Sequence, residues 1–428
     1  MKKYTIISLG CPKNTVDSEV LKGSLNRIGF TFTEDVETAE IIIINTCGFI
    51  KDAKEESIET ILEAAELKKE DPNKKVIAFG CLTERYHDEL VKEMPEVDAV
   101  FGIDSQAEII RYLTRERFTL PDIATVRDLM TPPYQAYLKI AEGCDNKCAF
   151  CAIPGIRGPQ HSRTIEDILR EAEYLQQKGV KEVVLTAQDL TRFGRDNYGT
   201  LKLFELADEL LRGRFFHWVR IMYTNPDFWN PQLLELYNKY PELCRYLDIP
   251  VQHAADRILK LMNRGRKSAQ IRNIITEIRK QVPDMAIRTS IITGFPTESE
   301  DDFIELLDFV EEMRFERLGV FTYSEEEETQ AAEMNDDVPE EEKERRRELL
   351  METQYDIASD FAKSKVGQEI EVMIEKEDKG HYIGRTMWDA PEVDCFALVK
   401  SNRELQPGEF CKIKVIKNIN MDLYGENI

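Results

Sequence analysis

The sequence predicts an α/β protein in three parts: an N-terminal doubly wound α/β domain over residues 1–118, a central partial barrel of six βα repeats over 130–362, and a small C-terminal antiparallel β-barrel over 363–428. Three observations carry this division. Short β-branched runs alternate with helix-period segments as far as residue 362. A stretch at 119–133 with Pro121, Pro132 and Pro133 breaks that alternation and reads as a linker. After Ser364 the apolar period becomes two, punctuated by Gly and Pro.

In the first part, strands are expected at 4–9, 41–45 and 76–79, and helices at 17–28 and 53–69. The run Ile-Ile-Ile-Ile-Asn at 41–45 is that of a parallel strand covered on both faces. The 53–69 helix should bury Ile58, Ile61, Leu62 and Ala65. Central strands are expected at 137–141, 182–186, 219–222, 247–249, 287–293 and 318–322, with helices such as 165–178 and 271–280 between them. Residues 325–348 are acidic and helix-forming. The last part should hold strands at 369–374, 382–386, 395–399 and 409–416.

Charge narrows the function. The chain carries 57 Lys and Arg against 80 Asp and Glu, a net charge of −23, which weighs against gripping a phosphate backbone by bulk charge. It suits a basic protein partner, or an enzyme with one local basic site. Residues 298–348 hold 21 acids and 6 bases; an ordinary solvated face is the plain reading of such a run. The C-terminal part, with 12 acids and 10 bases, lacks the excess of positive charge expected of a dedicated RNA-binding barrel. The nine cysteines are an odd number, no apolar leader follows Met1-Lys2-Lys3, and apolar runs such as 41–44 are too short to span a bilayer. A cytoplasmic protein with reduced thiols and no membrane association is expected.

Six of those cysteines form two sets. Cys144-Asp-Asn-Lys-Cys148-Ala-Phe-Cys151 is a C-x3-C-x2-C loop. Three thiolates on one loop match three irons of a 4Fe-4S cluster and leave the fourth iron open to a chelating ligand. A zinc loop would need a fourth donor, for which His161 is the nearest candidate, and Cys148/Cys151 also has thioredoxin-like spacing. The second set is dispersed: Cys11, Cys47 and Cys81 each fall just past an expected parallel strand. Parallel strands bring their C-terminal ends to one edge, so three distant thiols should meet there and hold a second cluster. Gly10, Gly48 and Gly80 beside them permit close backbone approach. The alternative is three buried cysteines acting as small apolar residues. Cys244, Cys395 and Cys411 read as structural.

Phe150 lies between two cysteines of the loop and is a candidate to pack on a cofactor ring. Gln188, Asp189, Gln252, His253, Gly294 and Glu298 follow expected barrel strands, on the face where barrels place chemistry, and are candidate cofactor contacts. An ordinary loop role is the alternative for each. Tyr382 and Trp388 could stack on a base, grip a peptide, or fill a core.

Together these motifs resemble the methylthiotransferase family of radical S-adenosylmethionine (SAM) enzymes, over essentially the whole chain. Cys11-Pro-Lys-Asn with Asp17-Ser-Glu19, Asn45-Thr-Cys47 and Gly80-Cys81 looks like its N-terminal domain. Cys144 to Cys151, followed by Ala152-Ile-Pro154 and Arg157-Gly158, looks like its radical SAM core, and Gly384-Arg385-Thr386 marks a TRAM domain. Gly10-Cys-Pro-Lys-Asn14 and Asp389-Ala-Pro-Glu-Val-Asp394 are similar to the RimO-type branch, which modifies a ribosomal protein, whereas a sister branch modifies tRNA adenosine. The resemblance implies two 4Fe-4S clusters, on Cys144, Cys148 and Cys151 and on Cys11, Cys47 and Cys81, with SAM as cofactor. It implies methylthiolation of the β-carbon of one aspartate in ribosomal protein S-twelve, begun by a 5′-deoxyadenosyl radical. An electron donor such as flavodoxin or ferredoxin and a sulfur donor are then expected partners. A non-catalytic iron–sulfur electron-transfer module is the rival from another class.

Overall fold

The computed structural model describes residues 2–428. Contacts divide the chain into two compact units, one of Met1–Pro132, Ala136–Asn146 and Cys151–Lys178, the other of Pro133–Gln135, Lys147–Phe150 and Gly179–Ile428.

The first unit opens with β1 (Lys3–Ser8), α1 (Pro12–Arg27), β2 (Thr31–Phe32), β3 (Ile41–Thr46), α2 (Lys51–Glu70), β4 (Lys75–Gly80), α3 (Cys81–Arg85), α4 (His87–Glu93), β5 (Ala99–Val100), α5 (Gln106–Thr114) and α6 (Ile123–Val126). Its sheet has the order β2-β1-β3-β4-β5 and is parallel throughout. The isoleucines of β3 serve two cores in alternation. Ile41 and Ile43 pack with Leu21, Leu25, Phe79, Ile109 and Ile110, and Ile42 and Ile44 with Ile61, Ala64, Val76 and Ala78. Each such side chain removed from water contributes roughly 1.5–3 kcal/mol. The buried stripe of α2 is Ser57, Ile61, Ala64 and Ala65. Ile58 and Leu62, expected on that stripe, lie at 36% and 48% exposure, because only about one helical face fits against the sheet.

The expected linker at 119–133 packs within this unit. Arg127, fully buried, donates from Nε to Glu19 Oε2 and from Nη1 to Glu171 Oε1, each at 2.6 Å, clasping α1 to α8 (Ile165–Gln177). Before α8 come β6 (Gln135–Lys139), β7 (Ala141–Glu142), α7 (Ile153–Arg157) and β8 (His161–Ser162), with β7 and β8 antiparallel.

The second unit contains β9 (Glu182–Thr186), α9 (Leu203–Arg212), β10 (Trp218–Ile221), α10 (Leu233–Lys239), β11 (Leu243–Asp248), α11 (Asp256–Leu261), α12 (Ser268–Gln281), β12 (Ala286–Thr293), α13 (Glu300–Met313), β13 (Arg317–Thr322) and α14 (Glu340–Ser364). Strands β9 to β13 are parallel and neighbours in chain order. The start of β6 lies on the β9 edge, where the Tyr134 carbonyl accepts from Lys181 and Glu182 amides at 2.8 and 3.0 Å. The expected helix at 325–348 begins only at Glu340. Pro339 has no N–H and occupies the N-cap, and the segment before it holds one short 3-10 turn, Ala331–Glu333.

A closed barrel ends the chain, from β14 (Glu369–Asp378), β15 (His381–Thr386), β16 (Ala397–Lys400), β17 (Phe410–Ile419) and β18 (Asp422–Asn427). Its pairs are antiparallel except β16 with β18, which run parallel. Trp388 and Tyr382 are buried; Trp388 donates from Nε1 to the Asp284 carbonyl at 2.9 Å, so it fills a core.

Candidate functional site

In the first unit, three thiols lie at the C-terminal edge of the parallel sheet. Cys11 caps α1 in extended conformation, with Pro12 opening the helix. Cys47 follows β3 directly, and Cys81 is the first residue of α3 directly after β4. Gly10 has φ +84°, and a Cβ there would stand 2.6 Å from Cys47 Cβ and 2.7 Å from its Sγ, so a side chain at position 10 would occupy the thiol's own space.

Polar side chains fix these loops. Asn14 donates from Nδ2 to the Leu9 and Thr46 carbonyls at 2.9 and 3.1 Å, tying the Cys11 turn to the end of β3. Asn45 donates to the Asn14 carbonyl at 2.8 Å. Ser57 receives the Cys47 amide and donates to the Cys47 carbonyl, both at 2.9 Å. Arg157, the last residue of α7, donates from Nε to Cys81 Sγ at 3.2 Å and from Nη2 to Asn14 Oδ1 at 2.5 Å. Its Nη1 lies 2.8 Å from Glu142 Oε1, and Lys139 pairs with Asp17 and with Glu142.

The electrostatics fit a soft, anionic ligand set. Burial pushes the thiols up, taking Cys81 to about 12 and raising Cys47. At Cys11, burial is outweighed by Lys13, Arg157 and the amides of Asn14 and Lys13, which hold the thiol below its ordinary value. The ionisations of Cys47 and Cys81 are each opposed by Cys11, as expected of thiolates sharing one small volume. Three sulfurs crowded together, with a guanidinium and helix-start amides beside them, are donors suited to an iron–sulfur cluster.

The C-x3-C-x2-C loop lies between β7 and α7. In the first unit, Cys144 is buried and its amide donates to the Gly158 carbonyl at 3.0 Å; Cys151 is half-buried. In the second, Arg264 donates from Nη1 to Cys148 Sγ at 3.6 Å, and from Nη2 to Asn225 Oδ1 and the Pro250 carbonyl at 3.1 and 2.8 Å. Asn263 holds the Lys147 carbonyl at 2.6 Å, and the Ala149 amide donates to Met262.

The other candidates take varied places. Phe150 packs against an apolar cluster that includes Ala255, Ile258, Met262 and Phe295. Gln188 and Asp189 follow β9, and Asp189 Oδ1 caps a short turn by accepting the Thr191 amide at 2.9 Å. Gln252, at φ +71°, bridges to β12 through its backbone. His253 is fully buried, its Nδ1 accepts the Ala255 amide at 3.0 Å, and its Nε2 lies 3.5 Å from Glu298 Oε2. Helix α14 engages the remaining two. Glu298 accepts from Arg346 at 2.8 Å, and a Cβ on Gly294 would come within 2.8 Å of Lys343 Cβ. Sequence reasoning missed the roles of Asn14, Ser57, Arg157 and Arg264 beside the cysteines. Of these, Asn14 and Arg157 had a signal, since each falls within a family motif; Ser57 and Arg264 had none.

Family models match residues 3–102 (Uncharacterized protein family UPF0004), 138–310 (Radical SAM superfamily) and 366–428 (TRAM domain). Among solved structures, the radical S-adenosylmethionine methyltransferase TsrM from Kitasatospora setae shares the fold at TM-score 0.55 and 13% identity, over 75% of this chain and 73% of that one. The ribosomal protein uS12 methylthiotransferase RimO of Clostridioides difficile (strain 630) is 45% identical over 100% of this chain and 99% of its own length. That of Desulforamulus reducens is 44% identical over the same shares. With such identity sustained from end to end, the chain belongs to the RimO family of ribosomal protein uS12 methylthiotransferases.

Proposed function

We propose that this enzyme adds a methylthio group to the β-carbon of an aspartate in ribosomal protein uS12, with SAM and two 4Fe-4S clusters as cofactors. The observation that carries the reading is the pair of three-cysteine sets, one at the edge of a parallel sheet and one on a single loop, in a chain related to RimO along its full length. When bound, these groups supply one-electron reduction, a carbon radical able to break an unactivated C–H bond, and the sulfur and methyl to be transferred. The chain's own residues hold and shield them. Cys144, Cys148 and Cys151 serve as ligands of the radical cluster, and Arg264 steadies Cys148. Cys11, Cys47 and Cys81 serve as ligands of the second cluster, with Asn14 and Ser57 fixing the loops that carry them.

In this reading residues 1–118 deliver sulfur, 130–362 generate the radical, and 363–428 help to receive the substrate. Gln188, Asp189 and Gln252 remain the candidate SAM contacts. Gly294 and Glu298 act one step removed, through their packing with α14, and His253 through its approach to Glu298. A flavodoxin or ferredoxin supplies electrons and a separate donor supplies sulfur, in the cytoplasm. Among the described residues no helix is long and apolar enough to cross a membrane. The deciding measurement is mass spectrometry of uS12 from a strain lacking the gene. Loss of one methylthio group from one aspartate, restored by the intact gene, is expected. Unchanged uS12 together with loss of a methylthio group from tRNA would place the enzyme in the tRNA-modifying branch instead.

A further inference from the structure

Helix α7 begins two residues after Cys151 and ends at Arg157, whose Nε donates to Cys81 Sγ at 3.2 Å. Arg157 lies five positions past Ala152, about 7.5 Å along a helix axis at the usual rise. One short helix therefore runs from the last cysteine of the loop set to a cysteine of the sheet-edge set. Arg157 is 5% exposed, and it shares the neutralisation of Asp17 and Glu142 with Lys139. Lys139 already pairs with both Asp17 and Glu142. The Nη groups of Arg157 are the ones that meet Glu142, Asp17 and Asn14, which leaves Nε for the sulfur.

We propose that Arg157 is the positioning residue of the sulfur-delivering cluster, holding Cys81 in place and setting a permanent positive charge beside its sulfur. The inference rests on the reading of Cys11, Cys47 and Cys81 as ligands of one cluster. A guanidinium stays charged at every working pH, and its donors have fixed directions. Hydrogen bonds to cluster sulfurs and local net charge are among the properties that set a cluster's reduction potential. A donated bond and a positive charge both favour the reduced, more negative state, so Arg157 raises the potential of the cluster it touches.

The test is a redox titration of full-length protein, reconstituted without oxygen and followed by electron paramagnetic resonance. The parent carries Cys144→Ala, Cys148→Ala and Cys151→Ala, so only the second cluster reports. Iron is counted in parallel. Arg157→Gln should shift the midpoint potential to more negative values, and Arg157→Lys, which keeps the charge, should recover part of the shift. Loss of the cluster from Arg157→Gln with retention in Arg157→Lys supports the assignment equally. If Arg157→Gln does not fold, Arg157→Lys is compared with the parent directly, and a smaller negative shift is expected, because the charge stays while the directed Nε bond is lost. A potential and iron content equal to the parent's would overturn the role of Arg157, as would equal loss of iron from the Gln and Lys variants, which marks a scaffold. A parent that holds no cluster defeats instead the ligand reading beneath it.

Discussion

Arg385 of β15 grips Glu182, the first residue of β9, with two parallel hydrogen bonds, Nη2 to Oε2 at 2.5 Å and Nη1 to Oε1 at 3.1 Å. Both side chains are buried, and Arg220 of β10 donates to the same carboxylate from Nε at 2.9 Å. Arg385 also holds Glu375 and the Asp389 carbonyl. The Gly384-Arg385-Thr386 motif therefore joins the closed barrel to the parallel sheet of the same unit, and its arginine does not face solvent. A forked guanidinium–carboxylate pair is the geometry best suited to a buried join.

Arg385→Gln should destabilise the protein by roughly 3–5 kcal/mol, the usual cost of leaving a buried ion without its partner. Denaturant unfolding measures it, and a loss below about 1 kcal/mol would contradict the clasp. A pH signature accompanies it. Burial pushes the Glu182 carboxyl up, but Arg385 and Arg220 outweigh burial and hold it below the ordinary carboxylate value. A depressed carboxyl stabilises the fold above its unfolded pKa, near 4.3 for Glu, and that contribution is lost as pH falls through the folded value. Wild-type stability should therefore decline as the medium is acidified below about pH 4, and Arg385→Gln should remove part of that decline.

Metal content tests the two cysteine sets. Anaerobic reconstitution should load about eight irons per chain, and replacing Cys144, Cys148 and Cys151 by Ala should leave about four. Zinc in place of iron, or four irons in the intact chain, would refute two clusters.

The two sets should also separate by role. With Cys11, Cys47 and Cys81 changed to Ala, reductive cleavage of SAM should continue while methylthiolated uS12 disappears. Product at the wild-type yield would exclude the sheet-edge set from the reaction.

Substrate capture should depend on the acidic stretch ahead of α14. Of its four consecutive glutamates, Glu325, Glu327 and Glu328 are exposed, whereas Glu326 is 2% exposed and its carbonyl accepts from Thr329 Oγ1 at 2.7 Å. Reversing the three exposed acids to Lys should slow association with basic uS12 several-fold and flatten its salt dependence, because opposite charge chiefly raises the encounter rate. SAM cleavage without uS12 should not change. Identical association rates at low salt would show that these acids serve only as a solvated face.

Both cysteine sets are legible in the sequence. The loop set is a matter of spacing along the chain, and the sheet-edge set follows from β-branched runs that each end at a cysteine, since parallel strands must bring those ends to one edge. The closed C-terminal barrel followed equally from its period of two. Each is encoded in local pattern or backbone direction. The partners of those residues are not. Arg157 and Arg264 reach Cys81 and Cys148 across 76 and 116 residues of chain, by side chains whose direction only packing decides. Gly294 and Glu298 sit at a strand end, as the sequence required, but α14 returns from more than forty residues downstream to meet them with Lys343 and Arg346. Ile58 and Leu62 share the helical period of Ile61 yet stay exposed, because the sheet admits one narrow face of α2. Sequence determined where the thiols lie, through rules that act within a strand or a loop; tertiary structure alone decided which charges stand beside them, since long side chains from distant elements make those contacts.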